Sequence, residues 1–309
     1  MLSLVSVGII AGFLYYLYAN ADKYRQLLHI SLLDVLALLA LTLAFPVING
    51  LINTYMFRNM GANLSHSEGI YLAAAATLAN QLPLPGAIVA RGIYLKRQHG
   101  LSYTGYFSSQ LALFVCTMAI DGFIGLAILL DWLVLKSTVV SPVLLLAFGG
   151  MAACLLIFWL PWGRIPVPAT LRKWTDQALE GWMLFRRDPL LLTKLLVLEV
   201  VEIFLLAMRY WLAFHMLSQN VSWGQVLLFA SASILTQLIS FAPGGLGVRE
   251  LIVGAIAVTL GFDLPVSMAA VGLDRLVMTL TIVVVGWIST IILGKKISDA
   301  PLKPDEQNA

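Results

Sequence analysis

With 309 residues, 60% of them hydrophobic and only 11% charged, the chain has too little polar surface to cover a water-soluble globule. A mean hydropathy of +0.90 makes lipid the solvent for most of it. The net charge of +3, with no basic, aromatic-interleaved patch outside the apolar segments, excludes a nucleic-acid-binding role. Cys116 and Cys154 lie in separate apolar runs, without CxxC or paired histidines, so no metal site, cofactor or disulfide framework is readable.

The first apolar run covers residues 2–19 and has no Lys or Arg before it. Lacking the charged region of a signal peptide, it reads as a first, retained span. Runs of about 20 residues or more, enough for ~30 Å of hydrocarbon, follow at 32–57, 104–134, 141–160, 190–217 and 265–293, making six spans in all. Two further stretches, 68–97 and 223–261, are interrupted in the middle, by Gln81-Leu-Pro83-Leu-Pro85-Gly86 and by Phe241-Ala-Pro243-Gly244-Gly245-Leu-Gly247. Proline removes a backbone donor and clustered glycine permits turns, so each stretch is expected to form a broken or re-entrant helix hairpin. Such backbone survives at membrane depth only inside protein or against a wet cavity.

Between 168 and 187, Leu171, Trp174, Ala178, Trp182 and Phe185 recur at helical spacing among charged residues. The segment 161–189 therefore reads as a cytoplasmic amphipathic connector, its apolar stripe facing either lipid or protein. The polar tail, 298–309, reads as disordered. With the connector inside, thirteen Lys and Arg fall on the cytoplasmic side, and only Lys23, Arg25, Lys136 and Arg249 fall outside. That bias puts both termini in the cytoplasm.

The two breaks correspond. Pro85-Gly86-x4-Arg91 matches Pro243-Gly244-x4-Arg249, Gln81 answers Gln237, Ser65 answers Ser222, and Gly100-Leu-Ser answers Gly261-Phe-Asp. Each unit ends in a span with an acid, Asp121 or Asp274. Residues 32–134 and 190–293 thus read as two repeats within a single membrane domain spanning 1–309. Three spans separate the breaks, an odd number, so the second unit should be inverted relative to the first. The fold class expected is an all-α polytopic membrane protein, with six spans and two broken hairpins in an inverted repeat.

Charge at the centre of a span costs roughly 2.5 to 3.5 kcal/mol on insertion scales, so each such group needs a partner or a wet cavity. Arg91 and Arg249 follow the breaks by about one helical turn, where a guanidinium adds to free amide donors. They suit either a phosphate-like headgroup or a structural pairing, Arg91 with Asp121 and Arg249 with Glu250 or Asp274. Asn80, Gln81 and Gln237 beside the breaks either line a cavity or cap interrupted backbone. Pro85, Gly86, Pro243, Gly244, Gly245 and Gly247 would shape the binding backbone. Glu199 and Glu202 lie one turn apart, and Glu202 shares a helix face with Arg209. Asp121, Glu202, Arg209, Asp274 and Arg275 are expected to set cavity charge or coupling.

The segment Phe241-Ala-Pro-Gly-Gly-Leu-Gly-Val-Arg-Glu250 resembles the signature of the flippase-like family typified by the transmembrane region of lysylphosphatidylglycerol synthases. Residues Asn80 to Arg97, with Gly100 and Ser102, are similar to that family's first motif, although the acid that often precedes its arginine is absent. The resemblance runs over nearly the whole chain and implies a lipid translocase of a bacterial inner membrane, not an enzyme. Its substrate would be a membrane lipid or polyprenyl-linked lipid. Two alternatives stay open, a membrane-embedded lipid-modifying transferase and a scaffold for a cytoplasmic lipid-modifying enzyme docked on 161–189. The transferase reading finds no HExxH, GxSxG or phosphate loop in the sequence. A second copy of the chain is a further candidate partner.

Overall fold

The computed structural model of the chain describes residues 31–81, 86–135, 140–154, 187–236 and 247–298, together with Leu156 and Met183. Every regular element among the described residues is helical. In chain order these are α1 (Leu32–Asn59), α2 (His66–Ala79), α3 (Gly86–His99), α4 (Tyr103–Leu130), α5 (Pro142–Ala153), α6 (Pro189–Met216), α7 (Trp223–Ala232), α8 (Val248–Thr259) and α9 (Leu264–Ser298). A π-helical turn, Asp131–Leu135, extends α4.

Three helices are long and apolar enough to cross a bilayer: α1, α4 with its extension, and α9, at mean hydropathies of 2.3, 2.3 and 2.4. The 28 residues of α6 match α1 in length, but Lys194, Glu199, Glu202 and Arg209 interrupt its apolar run. Of the remaining spans expected from sequence, 2–19 lies outside the described residues, and 141–160 is described as α5 only to Ala153. The connector at 161–189, apart from Met183 and its last residues, and the tail beyond Ser298 also lie outside them.

The two halves repeat one another in local geometry. Each opens with a 28-residue helix that ends at a residue with positive φ, Gly61 at 91° and Ser218 at 55°. Four residues later a serine caps the next helix. Ser65 Oγ accepts the Glu68 N–H at 3.2 Å, and Ser222 Oγ accepts the Gln225 N–H at 3.4 Å, each satisfying one amide left free by the helix start. Two short helices follow in each half, α2 and α3 in the first and α7 and α8 in the second. Each then turns through a left-handed glycine, Gly100 at 71° and Gly261 at 87°, into its last long helix. The equivalences Ser65–Ser222 and Gly100–Gly261 are therefore matching caps and matching turns.

Packing between the halves is reciprocal. The opening helices α1 and α6 pack on each other; α2 packs on α9, and its counterpart α7 packs on α4. Small residues permit the α2–α9 approach. Ala73, Ala74 and Ala76 are fully buried, and a Cβ at Gly286 would stand 2.7 Å from Leu78 Cβ and 2.9 Å from the Ala74 carbonyl oxygen. One hydrophobic cluster gathers Ile52, Phe57, Leu72, Tyr94 and Leu113. Another gathers Phe148, Phe214, Phe229, Val253 and Val271.

A two-pronged ion pair ties α6 to α9. Arg209 Nε donates to Asp274 Oδ1 at 2.8 Å and Nη2 to Oδ2 at 2.9 Å, with the side chains 1% and 0% exposed. Removing one partner strands the other charge, at a cost of about 3 to 5 kcal/mol, whereas replacing both with apolar groups is far milder. Asp274→Ala and Arg209→Met should therefore each lower the thermal midpoint of the purified protein by well over the shift in an Arg209→Met/Asp274→Leu double variant. Equal loss in all three would refute a coupled pair.

Candidate polar file across the core

At the first break, Asn80 and Gln81 end α2. Their N–H groups donate to the Ala76 and Leu78 carbonyls, each at 3.0 Å, continuing the backbone ladder of the helix. Gly86 starts α3 so close to α2 that a Cβ there would lie 2.7 Å from the Ala79 carbonyl carbon. Pro85 lies outside the described residues, as do Gln237, Pro243, Gly244 and Gly245 of the second break.

Arg91 points from α3 to α1, where its Nη2 donates to Asn49 Oδ1 at 2.9 Å. Asn49 Oδ1 also accepts from Asn53 Nδ2 at 3.1 Å. The electrostatic neighbours of Arg91 are Tyr106 and Glu202, not the Asp121 suggested by sequence order. Its Nε is buried without a hydrogen-bond partner. Glu202 sits between Asn49, Arg91 and Arg209. Asp121 on α4 neighbours Glu202 and Ser231 of α7, and Glu199 neighbours Thr117, Glu202 and Asp121. Asp121 Oδ1, Glu202 Oε2 and Ser231 Oγ are buried and unpartnered.

The second half closes differently around its acid. Gly247, with φ at 81°, begins α8; its N–H donates to Glu250 Oε2 at 2.8 Å. Glu250 Oε1 lies 3.4 Å from Arg275 Nε, and Glu250 is fully buried. Glu250 therefore fastens α8 to α9 and caps its own helix. Arg249 adjoins Arg275 and Tyr210. Its Nε, like that of Arg91, is buried without a partner, and among the described residues no carboxylate lies within ion-pair distance of it. Tyr210 is anchored by Ser233, their hydroxyl oxygens 2.8 Å apart.

These groups form a continuous file of interacting charges from one break to the other: Arg91, Glu202, Arg209, Asp274, Arg275 and Arg249. Its two ends are the repeat-equivalent arginines, and its middle is locked by carboxylate pairing. No group of three or more His, Cys, Asp or Glu in metal-binding geometry occurs among the described residues.

A separate polar knot was not singled out from the sequence. Glu68, in the first turn of α2 and outside the three long spans, is 3% exposed. It accepts from Tyr94 Oη at 2.5 Å and from His99 Nε2 at 2.9 Å, both on α3, and from Lys296 Nζ on α9. The pattern Ser65-x-x-Glu68 announces a helix start, but nothing local announces Lys296.

A family model described as the lysylphosphatidylglycerol synthase TM region matches residues 3–286. The chain belongs to that family. No curated protein matches it. Membership makes the chain a membrane protein of lipid metabolism or transport, and the polar file lies within the residues the family model covers.

Burial works to raise the Glu68 carboxyl, but the contacts to Lys296, Tyr94 and His99 outweigh it and hold the group below its ordinary value of 4.5. A depressed carboxylate stabilises the fold above its unfolded-state value and loses that contribution as pH falls through its folded one. Glu68→Gln should therefore cost about 1 to 3 kcal/mol at neutral pH. The gap in thermal midpoint between wild type and variant should shrink as pH is lowered from 4.5; a gap constant down to the acid limit would contradict the assignment.

Proposed function

We propose that the chain is a lipid translocase, moving an anionic or lipid-linked headgroup between leaflets along the polar file while the acyl chains stay in the bilayer. The observation that carries this reading is the unequal treatment of four arginines, Arg209 and Arg275 buried and Arg91 and Arg249 half-buried. Arg209 and Arg275 are committed to carboxylates, whereas Arg91 and Arg249, at equivalent positions of the two halves, keep a buried Nε without a partner. A buried donor left unpaired costs about 1 to 3 kcal/mol, more when charged. A phosphate or similar anion arriving at either arginine satisfies that donor, and a guanidinium matches phosphate geometry with two parallel bonds.

In this reading Arg91 and Arg249 receive the headgroup at the two ends of its path. Asp121, Glu199 and Glu202 offset its charge between them. The two halves are inserted oppositely, each broken hairpin approaching the centre from its own side of a bacterial inner membrane, with both chain termini cytoplasmic. Reciprocal packing of α2 on α9 and α7 on α4 supports a two-fold relation between halves, and rocking of one half against the other would expose the file alternately.

Leaflet exchange of labelled anionic and zwitterionic lipids in liposomes tests the reading. Wild type should accelerate exchange, and Arg91→Ala and Arg249→Ala should each reduce it at least tenfold while keeping the wild-type thermal midpoint to within a few degrees. Absence of exchange of any lipid by wild type would sink the translocase and move the assignment to a lipid-modifying transferase or a scaffold for a cytoplasmic enzyme. Unchanged exchange in both variants would leave translocation standing and remove the arginines from it.

A further inference from the structure

A trough of about 600 Å³ runs along the outer face of the hairpin formed by α3 and α4. On α3 its wall is Ile88, Val89, Gly92 and Ile93; Lys96 continues the same helical stripe. On α4 the facing stripe is Tyr103, Phe107 and Leu111. Spacings of one, four, five and eight residues put each set on one side of its helix. The five apolar side chains Ile88, Val89, Ile93, Phe107 and Leu111 are 40–52% exposed, so no described helix covers them.

Two features set this trough apart from an ordinary lipid-facing surface. The first is a charged end. At the α3–α4 turn, Lys96 Nζ lies 4.6 Å from the centroid of the Tyr103 ring, and exposed Arg97 adds a second cation to the last turn of α3. The second is an unpaid polar group in the floor. Tyr106 is 3% exposed, lines the trough, and its hydroxyl is buried without a hydrogen-bond partner. Gly92 bares that ring, for a Cβ there would come within 3.3 Å of Tyr106 and 3.4 Å of Tyr103.

We infer that the α3–α4 trough binds one anionic phospholipid, with its phosphate at Lys96 and Arg97, an ester carbonyl accepting from Tyr106, and one acyl chain lying along Ile88, Val89, Phe107 and Leu111. The match is one of charge and of polarity order. A cationic end, a single hydroxyl donor and then an apolar channel follow the sequence phosphate, ester and hydrocarbon in a glycerophospholipid. The volume falls within the ~300 to 1,000 Å³ of small-molecule sites. Arg91 adjoins Tyr106 from the protein side, so a lipid seated in the trough lies one residue contact away from the polar file. The site deepens the translocase reading, on which it rests only for what the lipid does next.

Photolabelling of the full chain in nanodiscs tests the site without requiring any lipid to cross. The probes are a phosphatidylglycerol and a phosphatidylcholine, each carrying a diazirine on one acyl chain. The anionic probe should label Ile88, Val89, Phe107 and Leu111 at least fivefold more than the zwitterionic probe does. It should also label them more than the α9 face at Leu280, Val284 and Ile288, which is more exposed, at 53–60%. Ile93→Trp, at a position 40% exposed and so tolerant of bulk, should block that labelling and leave the α9 face unchanged. Lys96→Ala/Arg97→Ala should abolish the preference for the anionic probe. Equal labelling by both probes, or labelling no stronger than on α9, overturns the inference. Selective labelling in a protein that shows no leaflet exchange upholds the trough and sinks the translocase; exchange without selective labelling does the reverse.

Discussion

Arg209 and Asp274 set the terms for everything around them. A guanidinium and a carboxylate withdrawn almost completely from solvent must meet each other, because the cost of burying either alone is several kcal/mol. The pair fixes the rotation of α6 about its axis, and that rotation determines where Glu199 and Glu202, on the same helix, must point. With Arg209 consumed by α9, Glu202 is left between Asn49 and Arg91. The distribution of free and committed charge in the core follows from this one contact.

The halves share caps, turns and packing partners, yet they are not copies. Where the first half has Glu68, held by Tyr94, His99 and Lys296, the second has Gln225, whose side chain returns to the Ser222 N–H at 2.8 Å. Where the second half has Glu250 pinning the start of α8 to α9, the first has Gly92 at the matching position after its arginine, and α3 carries no acid at all. The ion-pair anchor at the second hairpin lies at its break, and that of the first lies at its base. The arginines at the two breaks share one feature in spite of this, a buried Nε without a hydrogen-bond partner.

Much of the architecture was legible because it rests on local chemistry. Long apolar runs must be helical in lipid, so α1, α4, α6 and α9 follow from composition and order. The correspondence of Ser65 with Ser222 and of Gly100 with Gly261 was visible as spacing and became a cap and a turn. The site was legible only in part. Arg91 and Arg249 stood out by their motif, but Asn49, Tyr106 and Ser231 are single polar residues on apolar helices, and nothing near them in sequence marks their partners. The pairing of Arg91 with Asp121 suggested by order gave way to Asn49 and Glu202, because α1 and α6 pack together and bring their polar residues to α3. Helix packing decides such contacts, and packing between apolar helices in lipid leaves little periodic trace.

The replacement of Glu68 by Gln225 at matching helix starts bears on how the molecule divides its time. A carboxylate gripped by donors from two helices fastens the base of the first hairpin, whereas the corresponding glutamine closes only its own turn. Any exchange between two arrangements of the halves is then weighted, since every 1.4 kcal/mol of unequal fastening changes a population about tenfold. On the translocase reading, a scaffold whose first hairpin is fastened at its base by Glu68 and whose second is fastened at its break by Glu250 has two unequal arrangements, and so a preferred resting side.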